Sequence, residues 1–187
     1  MTAPDPRALR VVDDLRALGL SVGTAESLTG GLVCAALTSV PGASAVVRGG
    51  VVAYTSEVKA DVLGVDRGLL AAEGAVNGRV AHELSDGIRR VLACDVGLST
   101  TGVAGPEPSD GRPVGTVFVA AGGPWGILVE EHVLTGDRAD IRTGTVAAVL
   151  DLLARGLENL RDGVGAPGYR GPDDRRTTQV GEGEEAP

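Results

Sequence analysis

Lys59 is the only lysine among seventeen basic residues; the other sixteen are arginine. Arginine keeps its proton in a protein, whereas an ammonium gives one up when it is desolvated or placed in positive potential. A single primary amine in such a background has the character of a general base. Tyr54 stands five residues earlier, and the only other tyrosine is Tyr169. Ser44 comes just after the Pro41-Gly42 turn that opens the same stretch. A serine, a tyrosine and a lysine suffice for nucleophilic attack on an acyl carbon, with the hydroxyl as nucleophile and the neutral amine taking its proton. The plainer reading makes Lys59 a solvated helix residue and Ser44 a turn hydroxyl.

A second group lies upstream. Leu20 to Ala25 reads as a strand, Glu26-Ser27-Leu28-Thr29-Gly30-Gly31 as a turn, and Leu32, Val33, Ala36 and Leu37 as a short helix. Strand, small polar residues, two glycines and helix aim backbone N–H groups and a helix dipole at an anion, with Ser27 and Thr29 as further donors. The same residues also serve as ordinary helix caps. Thr101 lies in Val96 to Pro106, a strand ending in a glycine-punctuated loop that lets backbone approach a ligand. Arg138 and Arg142 are four apart on the last helix, a spacing that suits a phosphate or carboxylate clamp as well as a solvated face.

The elements that must position these residues are set by periodicity and punctuation. Asp5-Pro6 opens a helix with Leu9, Val12, Leu15 and Leu18 on one side, and Gly19 ends it. Val46 to Ala53 reads as a buried strand, and Thr55-Ser56-Glu57 caps a helix to Leu63. Asn77-Gly78 starts a helix that ends near Cys94. Pro113 to Ala120 and Gly126 to Leu134 read as an antiparallel pair around Gly122-Gly123-Pro124. Gly136-Asp137 caps the final helix. The alternation predicts an α/β fold of three layers, α/β/α, with a mixed sheet of about five strands. Ser27, Tyr54 and Thr101 all fall at predicted strand ends, the rim where such sheets bind ligands.

Composition narrows the function classes. With 187 residues and 43% hydrophobic content, one domain with a full core is expected. Apolar runs are too short to span a bilayer and no leader pattern opens the chain, so no membrane role and a cytoplasmic location are expected. A net charge of −8 and 2% aromatic residues argue against a nucleic-acid partner. Cys34, Cys94, His82 and His132 are scattered without metal-ligand spacing, so neither metal nor cofactor is expected. From Asp162 to Pro187 the chain turns to Gly, Pro, Asp, Glu and Arg, the composition of a disordered acidic tail.

Six stretches, in this order, resemble the C-terminal domain family of the competence/damage-inducible protein CinA. They are Thr24-Ala25-Glu26-Ser27-Leu28-Thr29-Gly30-Gly31, Pro41-Gly42-Ala43-Ser44, Gly50-Val51-Val52-Ala53-Tyr54 with Lys59, Thr101-Gly102-Val103-Ala104-Gly105-Pro106, Pro113-Val114-Gly115-Thr116-Val117, and Gly136-Asp137-Arg138. The stand-alone members are nicotinamide-nucleotide amidases. The resemblance implies metal-free hydrolysis of nicotinamide mononucleotide to nicotinate mononucleotide and ammonia by residues 1–161, in pyridine nucleotide recycling. It also implies Ser44 as nucleophile, Lys59 as base and Tyr54 as their hydrogen-bonding partner. Ser27, Thr29, Gly30 and Thr101 would line the nucleotide site, with Arg138 or Arg142 at the phosphate. A homo-oligomer, a dimer, is the expected assembly. The family's Gly-Gly loop after Gly-Pro is replaced here by Glu107-Pro108-Ser109-Asp110-Gly111, and its Lys-Pro by Arg112-Pro113. The competing readings are a nucleotide-binding or partner-binding regulatory domain without chemistry, and a Ser-Lys amidase acting on another amide.

Overall fold

The computed structural model describes residues 3–164. Helix α1 (Pro6–Leu18) starts where the Asp5 carboxylate accepts the Arg7 N–H and Pro6 takes the first turn, and it ends at Gly19 in the left-handed conformation. Strand β1 (Val22–Glu26) is buried throughout. Helix α2 (Leu32–Thr38), a 3₁₀ turn at Ala43–Ala45 and strand β2 (Val47–Val52) come next. Helices α3 (Ser56–Leu63), α4 (Arg67–Glu73) and α5 (Gly78–Leu92) lead to β3 (Val96–Gly102). The hairpin β4 (Thr116–Gly123) and β5 (Gly126–Val133) then leads to α6 (Arg138–Arg161).

The five strands form one mixed sheet in the order β2-β1-β3-β4-β5. Strands β2, β1 and β3 are parallel, and β3, β4 and β5 are antiparallel. One sheet face carries α1, α2 and α6 around Leu15, Leu37, Val119, Val149 and Leu153. The other carries α5, with α3 beside it, around Leu63, Val80, Leu84 and Ile88. This is the expected three-layer α/β/α arrangement. Helix α5 lies so close to the sheet that a Cβ at Gly97 would stand 2.1 Å from the Ser85 carbonyl oxygen. Only glycine fits under the helix there.

Three details depart from the sequence reading. Strand β2 is an edge strand of alternating half-buried and exposed residues, with no strand on its outer side among the described residues. Helix α4 has no counterpart in that reading; it is a single capped segment too short to show a period, held by the Asp66 carboxylate accepting the Leu69 N–H at 2.7 Å. The β4 to β5 turn is Pro124-Trp125, with Trp125 buried against Gly156 of α6. The expected tail, Asp162 to Pro187, lies outside the described residues from 165 onward.

The chain leaves β1 for α2 on one face and leaves the neighbouring β2 for α3 on the other. The carboxyl ends of these two strands therefore flank a crevice, the usual ligand position in parallel sheets.

Candidate active site

A cleft of about 340 Å³ opens over the carboxyl ends of β1, β2 and β3. Ser27 comes from the turn after β1, Tyr54 and Lys59 from the segment after β2, Thr101 and Gly102 from the end of β3, and Arg138 from the first turn of α6. The loop 103–110 supplies the far wall.

Lys59 is 1% exposed, the largest fully buried side chain with a titratable group. It is the fourth residue of α3, whose first turn is held by Thr55 Oγ1 accepting the Val58 N–H. Its Nζ lies 2.8 Å from the Ala53 carbonyl oxygen, 3.3 Å from the Tyr54 carbonyl oxygen and 3.2 Å from Ser27 Oγ. Burial pushes the amine below its ordinary pKa of 10.5, against the charges of Asp110 and Glu57, which favour the ammonium. The positive end of α3 works in the same direction as burial. A neutral amine has two protons and one lone pair, and three partners stand around Nζ. With its protons on the two carbonyls, the lone pair is left to face the Ser27 hydroxyl, which is the geometry of a base beside its nucleophile.

Ser27 is fixed by its own backbone, whose N–H donates to Thr100 of β3 and whose carbonyl accepts the Gly30 N–H. The turn beyond it does not offer its helix terminus to a ligand. Glu26, 1% exposed, folds its carboxylate under α2 and accepts N–H bonds from Gly31 at 2.9 Å, Val33 at 3.0 Å and Cys34 at 2.8 Å. The anion at this strand-turn-helix junction belongs to the protein, and the expectation of an external anion there is corrected accordingly. Glu26→Gln keeps the shape but turns a donor toward N–H groups. It should lower stability to urea by roughly 2–4 kcal/mol, given that bonds to a charged group are worth about 1.5–3 kcal/mol and an orphaned buried donor adds its own penalty. Equilibrium urea unfolding followed by circular dichroism measures this.

The residues nominated from sequence separate into three sets. Ser27, Tyr54, Lys59, Thr101 and Arg138 meet in the cleft. Thr29, Gly30 and Arg142 stand behind it and shape the turn. Thr29 Oγ1 bonds Thr100 Oγ1 at 2.8 Å, while Arg142 donates to the Leu28 and Thr29 carbonyls at 3.0 and 2.8 Å. Arg142 is thus committed to backbone, and Arg138 is the arginine of the pair that reaches the cleft. Ser44 belongs to neither set. It sits in the 3₁₀ turn before β2, in a separate surface hollow lined by Thr38 to Gly49. Lys59 comes after the same strand, so the six residues of β2 separate the two, roughly 20 Å at 3.3 Å per residue. The expected pairing of Ser44 with Lys59 does not occur; the hydroxyl beside the amine is that of Ser27.

Tyr54 also differs from its expected part. Its backbone carbonyl accepts from Lys59, but the residue is 58% exposed and its phenol oxygen accepts from Arg138 Nη2 at 2.9 Å. Arg138 Nη1 donates to the Gly105 carbonyl at 2.6 Å, so the guanidinium is held across the cleft mouth between two walls. Thr101 Oγ1 donates to the Ala75 carbonyl at 2.7 Å, joining β3 to the linker before α5. The loop 107–112 is exposed along its length and brings Glu107, Ser109 and Asp110 to the cleft.

Known proteins share this arrangement of elements. A model of the CinA C-terminal domain family matches residues 5–157. The chain belongs to that family. This CinA domain is 52% identical over 140 residues to a CinA-like protein of Frankia casuarinae, covering 75% of the chain and 32% of the relative. A CinA-like protein of Anaeromyxobacter is 48% identical over 148 residues, 79% of the chain and 36% of that protein. The CinA domain described here thus spans about a third of the length of these curated relatives. Among solved structures, the competence/damage inducible protein CihA of Agrobacterium tumefaciens superposes with a TM-score of 0.79 at 37% identity, over 83% of this chain and 96% of that one. A competence-damaged protein (CinA) superfamily protein of Escherichia coli gives 0.79 at 29% identity, over 82% and 90%. Among the described residues of the CinA domain, no helix is long and apolar enough to cross a membrane.

Proposed function

We propose that the chain is a serine amidohydrolase that converts nicotinamide mononucleotide to nicotinate mononucleotide and ammonia, with Ser27 as nucleophile and Lys59 as base. The observation that carries this reading is the buried Lys59 amine 3.2 Å from Ser27 Oγ, with two carbonyls engaging its protons. Neutral Lys59 takes the hydroxyl proton as Ser27 Oγ bonds to the carboxamide carbon. The oxyanion is assigned to the Leu28 N–H, which lies next along the chain from the nucleophile and has no acceptor among the described residues. The resulting Lys59 ammonium returns its proton to the amide nitrogen, and the C–N bond breaks to release ammonia. Water then adds to the acyl-serine, giving a proton to Lys59; collapse frees the carboxylic acid and restores the serine hydroxyl.

Arg138 is assigned to the substrate phosphate, and Tyr54 holds that guanidinium in place until the phosphate arrives. Family membership supports the reading, and the Ser-Lys pair supports chemistry over simple binding. The test is ammonia release by the purified protein from nicotinamide mononucleotide, set beside nicotinamide, nicotinamide riboside and aliphatic amides. Release from the mononucleotide alone is the expected result. Release from none of them, with the mononucleotide bound, would leave the reading without support.

A further inference from the structure

The charged groups of the cleft are unevenly spread. Arg138 stands on the α6 side, tied to Tyr54 and Gly105. Asp110 has a different anchor: its Oδ2 accepts the Ala75 N–H at 2.8 Å, in the linker before α5, and the Ala75 carbonyl in turn accepts from Thr101 at the end of β3. Asp110 Oδ1 has no protein partner among the described residues, and Glu107 lines the cleft as well. With Lys59 neutral, as the proposed mechanism requires, the cleft holds two carboxylates and a single guanidinium. Such a cleft suits a ligand that carries both an anionic and a cationic group.

We infer that Asp110 is a specificity residue that selects an amide borne on a cationic ring, its free oxygen facing the ring's positive charge while the anionic end of the ligand lies against Arg138. The inference rests on the proposed amidase site and adds the residue that reads the charge of its substrate. Asp110 is suited to a fixed role because its backbone has a φ of +51°, a left-handed conformation that asparagine and aspartate tolerate better than other side chains. Asp110→Asn therefore keeps the loop and retains an oxygen for the Ala75 N–H while it removes the charge.

The test compares nicotinamide mononucleotide with its dihydro form, which has the same carboxamide, ribose and phosphate but a neutral ring. Binding is measured by calorimetry on the Ser27→Ala protein, so that no turnover intervenes, with and without Asp110→Asn. The expected result is a preference for the cationic ring of about tenfold in Kd, a ratio equivalent to about 1.4 kcal/mol, that falls to within about twofold in the Asp110→Asn protein. Glu107→Gln should reduce it less. Binding of the dihydro form serves as the check that the variant site is intact. Equal affinity for the two rings in the parent protein, an undiminished preference after Asp110→Asn, or no binding of either nucleotide would each overturn the inference. Ammonia release by the wild-type protein is scored separately: charge-selective binding without release would refute the amidase reading and leave the role of Asp110 standing.

Discussion

Ser27→Ala should lower ammonia release from nicotinamide mononucleotide by about 10³-fold or more, while Ser44→Ala should change it by less than about twofold. Removing Ser27 Oγ removes the atom that attacks, and among the described residues no other hydroxyl is within hydrogen-bonding distance of the amine to replace it. Thr101 Oγ1 is engaged by the Ala75 carbonyl, and Ser109 lies on the loop of the far wall. Ser44 lies at the opposite end of β2, where a missing hydroxyl alters only a surface turn. Because Ser27 is 8% exposed and its backbone rather than its side chain makes the fixing bonds to Thr100 and Gly30, the alanine variant should fold normally. Single-turnover assays with matched thermal melts measure both effects. Full activity in Ser27→Ala, or its loss in Ser44→Ala, would transfer the nucleophile to the other end of the sheet.

The distance of Ser44 from the cleft has a physical source. Ser44, Tyr54 and Lys59 share one short stretch of sequence, and proximity in sequence suggests proximity in space. A strand between them sends the residues before it and the residues after it to opposite rims. In a parallel sheet the site gathers the segments that leave the strands at their carboxyl ends, which is why Ser27 after β1 meets Lys59 after β2 although 32 positions separate them. The carboxyl-end rule is available from the pattern of strands, and applied strictly it favours Ser27 over Ser44.

Lys59 is legible because its signal is compositional. A single amine among arginines marks a position irrespective of fold, and the cap of α3 is written in Thr55-Ser56-Glu57. Glu26 is not legible in the same way. The sequence shows an acid at a strand end, but only the curl of the turn over residues 27–31 brings its carboxylate beneath three N–H groups at the start of α2. The two arginines pose a similar problem. Spacing puts Arg138 and Arg142 on one side of α6, yet one turn of helix separates an arginine at the cleft mouth from one that holds the Leu28 and Thr29 carbonyls. Holding those carbonyls has a use. In a trans peptide the N–H points opposite to the C=O, so a bond from Arg142 to the Leu28 and Thr29 carbonyls fixes the direction of the N–H groups in the same peptide planes and helps to orient the turn beside Ser27.

Lys59→Met should abolish turnover and at the same time remove a pH dependence of stability. Methionine fills most of the space of the lysine stem but cannot take a proton, so hydrolysis should fall by at least about 10³-fold, the scale on which nucleophile and base act as one unit. In the wild-type protein, kcat/KM should rise with pH along an acid limb set by the amine, with a midpoint below 10.5 because burial favours the neutral form. Asp110 from the loop and Glu57 from α3 itself oppose that shift, and Arg138 lines the same cleft. The same depression fixes the sign of the stability effect. Between the folded-state pKa and 10.5 the unfolded chain binds more protons than the folded one, so stability rises with pH through that window. Below the folded-state pKa the full cost of a buried ammonium is present; above 10.5 it is gone. The difference in unfolding free energy, wild type minus Lys59→Met, should therefore grow more favourable to the wild type as pH increases through the window, whatever fixed penalty the variant bears for leaving the Ala53 and Tyr54 carbonyls without a donor. Urea unfolding of both proteins across that range reads the slope directly. A flat difference would mean that Lys59 has the same proton affinity folded and unfolded, and a residue so placed could not be the base that Ser27 requires.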